Sequence, residues 1–180
     1  MRLTNKYISR LVVFVTLTVV IEILGFPQPI TGPLVNMMLI LTTLILGPVA
    51  GVILGILTPL IAVFRGQLPP PLMPMVPFIM FGNSIFVLLF AAIDQRLKKL
   101  SPSRRLLASP GSWLALFAGA VAKFIWLYSA VRILLPRLIG TSIPPTVLAL
   151  MSTPQFFTAM TGGIFAFLLF NILQQRYHLN

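Results

Sequence analysis

Few side chains in this chain of 180 residues can move protons: two acids, Glu22 and Asp94, and one histidine, His178, with no cysteine. Paired-carboxylate catalysis needs both acids within reach of one substrate, and these two are predicted near opposite sides of a membrane. His178 follows the last apolar segment and lies far from any intramembrane serine, so a nucleophilic hydrolase would have no base. The absence of thiolates and a lone imidazole argue against a zinc or redox centre, and no cofactor is expected. No Gly-rich segment ends in Lys-Ser or Lys-Thr, so any ATP hydrolysis belongs to another chain. The residues point to binding rather than to enzymatic catalysis.

Lys123 is the most informative binding candidate. It falls about 18 Å from either end of its apolar segment by helical rise, where an ammonium is costly unless paired or hydrated. Glu22, in the first apolar segment, reaches a similar depth. One reading pairs Glu22 with Lys123 inside the bundle; the other has Lys123 meeting a substrate carboxylate or phosphate, with Glu22 holding it when the site is empty. Asn36 and Asn83 are amides in lipid-grade sequence and must hydrogen-bond internally, as cross-links between helices or as ligand contacts. Gln155, after Pro154 and beside a long loop, is open to the same two uses. Trp126 lies three residues after Lys123 and is expected on a shared face, stacking on a planar ligand or packing in the core. Tyr128 reads as an interfacial anchor, and Arg132 can snorkel outward.

Elements that hold such residues must cross lipid. The chain is 58% hydrophobic and 8% charged, too apolar for a soluble domain of this size. The net charge of +11 resides in tails and one loop rather than alternating with aromatics, so a bilayer and not nucleic acid is the expected partner. The expected fold is an all-α, six-transmembrane-helix bundle in a single domain, residues 1–180, with spans near 11–25, 33–46, 51–64, 74–93, 112–135 and 154–173. The first span lacks a cleavage site and reads as retained. The second and third are short, separated by Gly47-Pro48. With both termini cytoplasmic, Arg2, Lys6, Arg10, Arg96, Lys98, Lys99, Arg104, Arg105 and Arg176 face inward against Arg65 and Arg137 outside, nine against two. The outer segments Phe26–Gly32, Arg65–Met73 and Pro136–Thr153 are rich in Pro, Gly, Ser and Thr; they are connectors or a lid over a pocket. Gly47, Gly51 and Gly55, and Gly111, Ala115 and Gly119, form small-residue stripes that suit close helix packing or the docking of another subunit.

Four groups of residues carry a family resemblance: Gly32-Pro33-Leu34-Val35-Asn36; Gly47-Pro48-Val49-Ala50-Gly51 with Gly55 and Thr58-Pro59; Pro77-Phe78 with Gly82-Asn83; and Thr153-Pro154-Gln155 with Thr158-Ala159 and Gly162-Gly163. In order and spacing the chain resembles the substrate-binding S components of energy-coupling-factor (ECF) vitamin transporters. The resemblance implies a multi-pass protein of the bacterial cell membrane that captures a vitamin-like micronutrient in an outward-facing pocket; the residues themselves, Lys123 above all, suggest that it is anionic or amide-rich. It implies delivery by toppling, with a transmembrane coupling subunit and two cytoplasmic ATPase subunits as partners. The implied pocket maps onto the outer loops, Asn83, Lys123, Trp126 and Gln155. One departure stands out: the alanine motif many members carry on the first helix is missing, and Val12–Ile21 is mostly β-branched. The competing reading is a structural or assembly subunit of a membrane complex, in which the small-residue stripes are the function and the polar residues internal glue.

Overall fold

Proline and glycine set the helix boundaries in this chain. In a computed structural model, which describes residues 4–66, 70–100, 107, 109–140 and 143–177, the described residues form helices and no strand. Helix α1, Asn5–Leu24, ends at Gly25 in the left-handed region (φ 67°), and Arg65 Nε donates to the carbonyl of Ile23 at 2.9 Å, meeting one of the orphan acceptors of that terminus. Helix α2, Gln28–Leu46, starts on Pro27 with Pro29 in its first turn, where a missing N–H costs nothing. Gly47 (φ 95°) then reverses the chain into α3, Pro48–Phe64.

This start corrects the expected second span. Pro33 lies inside α2 rather than opening it, so Gln28–Gly32 is helical instead of loop, and α2 is 19 residues long. Pro33 sits close enough to the N-terminus that only the bond to the Pro29 carbonyl is lost, and neighbouring helices exclude lipid from the gap. The short second helix of the pair is α3 alone, at 17 residues.

A 3₁₀ turn, Pro70–Met75, leads into α4, Val76–Leu100. Helix α5, Pro110–Ser129, is N-capped by the Ser109 hydroxyl and continues through a π-helical turn, Ala130–Leu134, into α6, Leu135–Ile139. Pro136 explains the π turn. It has no N–H for the Arg132 carbonyl, and Leu135 N–H bonds the Ala130 carbonyl, five residues back. Helix α7, Pro145–Leu150, precedes α8, Thr153–Tyr177. The segment from Pro136 to Thr153, expected as irregular loop, therefore carries two short helices, α6 and α7. Most long helices also outrun the expected spans, because Lys, Arg, Gln and Leu at their ends propagate helix beyond the apolar stretch.

Among the described residues, five helical stretches are long and apolar enough, by length and composition, to cross a membrane; α3 is a shorter apolar helix. Of the residues used to orient the bundle, Arg2, Arg104 and Arg105 lie outside the described residues, as do His178 and loop positions 67–69 and 141–142.

Helix α2 is the hub, packing on α1, α3 and α8, while α4 packs on α3 and α5. The main core joins Leu39, Ile40, Leu54, Phe86, Phe90, Leu116 and Phe167, with Phe90 and Phe167 rings 5.9 Å apart. A second cluster, Met75, Leu127, Val131, Leu135, Ile143 and Met151, ties the segments before and after the long helices to the π turn. About 16 Å along α4 from Asn83, by helical rise, Asp94 accepts from Ser112 Oγ at 2.6 Å and pairs with Lys98 at 2.6 Å. That clamp joins α4 to α5 and accounts for one of the two acids.

Candidate functional site

Inside the bundle lies a cavity of about 180 Å³, bordered by α1, α2, α3, α4, α5, the end of α7, the turn after it and the start of α8. Its polar lining groups are Glu22, Gln28, Thr31, Asn36, Thr58, Asn83, Lys123 and Gln155; Val35, Pro59, Ala62, Ile79, Leu150 and Met151 supply apolar wall. Five of the six residues singled out from the sequence, Glu22, Asn36, Asn83, Lys123 and Gln155, thus border one space.

Asn36 organises one side. Its Nδ2 donates to the Gly32 carbonyl at 2.9 Å and lies 3.5 Å from Thr158 Oγ1, which turns Oδ1 toward Lys123 Nζ, 2.7 Å away. Lys123 is 3% exposed and also sits over the Phe86 ring, 5.5 Å from its centroid. The sequence left open whether Lys123 pairs with Glu22 or meets a ligand; its hydrogen bond here is to the Asn36 amide oxygen. An ammonium has three donors, so this neutral contact fixes the head without saturating it. Glu22 is 4% exposed and borders the same cavity from α1.

Asn83 does a different job. Pro59 has no N–H, so the Gly55 carbonyl one turn earlier loses its helical donor. Asn83 Nδ2 supplies one at 3.0 Å and reaches Thr58 Oγ1 at 3.2 Å. Gly55 permits the approach, since a Cβ there would stand 3.0 Å from Asn83 Cβ. Asn83 is therefore helix glue and cavity lining at once. Asn83→Ala is expected to cost about 1–3 kcal/mol by leaving the buried Gly55 carbonyl only the long contact from Thr58 Oγ1, 3.5 Å away. The double variant Asn83→Ala/Pro59→Ala, which returns an N–H to that carbonyl, should recover much of the loss in thermal unfolding; no recovery would separate Asn83 from the proline gap.

Gln155 Nε2 donates to the Leu150 carbonyl at 3.1 Å, holding the turn that presents Leu150 and Met151 to the cavity. Met151 also belongs to the second apolar cluster, so the cavity wall and the segment between α6 and α8 share one anchor.

Trp126 is placed elsewhere. Its Nε1 donates to the Phe78 carbonyl at 2.8 Å, its ring lies between Phe78 and Phe81 at 6.3 and 6.0 Å, and it is not among the cavity-lining residues. Residues three apart on a helix diverge by about 60°, enough for Lys123 to reach α2 while Trp126 turns to α4. Sequence reasoning missed Gln28, Thr31 and Thr58. Thr31 Oγ1 donates to the Phe26 carbonyl at 2.7 Å, and its position just before Gly32-Pro33 was the only available signal.

The model of the family described as "ECF transporter, substrate-specific component" matches residues 6–174. Neither a curated protein nor a solved structure matches the chain. A polar cavity among apolar helices suits a subunit that gives a membrane transporter its specificity, and the family match covers nearly the whole chain: it belongs to the substrate-specific components of ECF transporters.

Proposed function

We propose that this chain captures a vitamin or related small micronutrient from outside the bacterial plasma membrane and delivers it by toppling within the bilayer. Separate subunits, a transmembrane coupling protein and two cytoplasmic ATPases, power the step. The bundle spans six times, α3 included, with both termini cytoplasmic. The excess of Lys and Arg at those termini and in the segment after α4 supports this orientation.

The observation that carries the reading is the cavity itself. Eight polar lining residues, two of them ionisable, converge in a protein otherwise built for lipid. A concave site with a few convergent polar groups set in apolar wall is the usual form of a small-molecule site. Lys123, Asn36, Asn83, Gln155 and Glu22 are the contacts proposed for it, with Trp126 acting from behind by packing α4 against α5.

Native mass spectrometry of the full chain, purified gently from rich medium, is expected to show a retained small molecule. A folded preparation that retains none, and binds none of a broad micronutrient panel, would favour the assembly-subunit reading.

A further inference from the structure

The backbone fixes which way the three buried amides of the cavity wall are turned. Asn36 Nδ2 donates to the Gly32 carbonyl at 2.9 Å, Asn83 Nδ2 to the Gly55 carbonyl at 3.0 Å, and Gln155 Nε2 to the Leu150 carbonyl at 3.1 Å. A carbonyl only accepts, so each of these bonds must come from the amide nitrogen, and the oxygen takes the other arm. Asn36 Oδ1 accepts from Lys123 Nζ at 2.7 Å. Asn83 Oδ1 and Gln155 Oε1 have no protein donor among the described residues, and both side chains line the cavity at 3% and 8% exposure.

Lys123 has the opposite polarity. Its ammonium bonds one neutral oxygen and lies over the Phe86 ring, and no ion pair engages it among the described residues. Two of its three N–H groups remain. Glu22 already has an interaction within the protein, so the lysine and the two amide oxygens set the pattern of the site. A ligand group facing Lys123 has to accept, and the charge favours an anionic acceptor over a neutral one. A group facing Asn83 or Gln155 has to donate, because a carbonyl there would set two acceptors against each other. Water serves as donor or acceptor with equal ease, so these groups select by pattern: a matching ligand keeps its hydrogen bonds on leaving solvent, and one of the wrong polarity loses them.

We infer that the molecule held in this cavity is an anion that also carries neutral hydrogen-bond donors: a carboxylate or phosphate on Lys123, and amide, ureido or hydroxyl hydrogens on Asn83 Oδ1 and Gln155 Oε1. This rests on the capture reading above and narrows its substrate class. The apolar wall of Val35, Ile79 and Met151 is left for its carbon skeleton.

The test uses the full chain in lipid nanodiscs. The compound it retains from rich medium is released, identified by mass spectrometry, and rebound calorimetrically as itself, as its methyl ester and as a derivative methylated at its N–H or O–H groups. In parallel, thermal stabilisation is measured with biotin and pantothenate, which are carboxylates with such donors. Biotin methyl ester keeps the donors without the charge, lipoate keeps the carboxylate without the donors, and thiamine serves as a cation. The retained compound is expected to carry an anionic group and at least one donor. Esterification should weaken its binding about tenfold to a hundredfold, and methylation of the donors about tenfold. Gln155→Ala should reduce the penalty for methylation and leave that for the ester, and Lys123→Gln should do the reverse. A retained compound without an anionic group or without a donor overturns the inference while leaving capture intact, as does a parent that binds no better than either derivative. Where nothing is retained the panel decides: biotin or pantothenate stabilising most supports the inference, and the ester, lipoate or thiamine stabilising most overturns it. If nothing is retained and no panel member binds, the capture reading falls and the inference with it.

Discussion

Lys123→Met is expected to weaken retention of the bound molecule about a hundredfold, the scale of removing one partner from a buried, hydrogen-bonded charge contact. Methionine keeps much of the volume of the lysine stem, so the Phe86 side of the cavity stays filled. What is lost is the charged head that Asn36 aims at 2.7 Å. Stability should respond differently. Removing an intramembrane charge relieves a desolvation cost, while stranding Asn36 Oδ1 costs about 1–3 kcal/mol. These effects oppose each other, so the melting temperature should move little while affinity collapses. Titration calorimetry and thermal unfolding on the same preparation separate the two. Unchanged affinity with an altered melting temperature would assign Lys123 to helix packing alone.

Gly162→Ala should damage both properties. A Cβ at Gly162 would stand 2.5 Å from the Pro33 carbonyl oxygen, 2.7 Å from Asn36 Cβ and 2.7 Å from Met37 N. Two of those atoms are α2 backbone, which cannot rotate away as a side chain does. Relief requires α8 to move off α2, at about 1–3 kcal/mol for an overpacked contact, and the displacement passes directly to Asn36. Loss of Lys123 orientation and of retention should follow. Gly32→Ala is the control on the same interface: its Cβ would meet the Thr158 side chain, 2.9 Å from Cγ2, which can swing aside. A larger loss for Gly32→Ala than for Gly162→Ala would show that side-chain crowding, not backbone approach, limits this interface.

The contrast between these glycines shows how far sequence reading extends. Gly32 and Gly162-Gly163 entered the sequence reading only as residues of the family resemblance. Whether backbone or a rotatable side chain faces each glycine depends on how two helices are rotated about their own axes. No periodicity within one helix contains that information.

Much was nevertheless legible in the residues alone. Composition places the chain in a membrane because no other solvent accepts so much apolar surface. Asn36, Asn83, Lys123, Gln155 and Glu22 were visible as candidates because polar groups in such sequence must find partners, and all five border the cavity. Their partners were not visible. Lys123 sits against Asn36, a residue 87 positions away, and Asn83 repairs a gap left by Pro59 on another helix. Trp126, on the face expected for Lys123, turns to Phe78 instead. Proline 33, read as a helix start, is carried inside α2 because the preceding Pro27-Gln28-Pro29 had already nucleated the turn. The sequence by itself determined the solvent and most of the long helices, which follow from composition and local pattern. Only the tertiary structure decided which groups meet, because a hydrogen bond requires alignment to within tenths of an ångström and that is set by interhelical rotation and the packing of glycines against backbone.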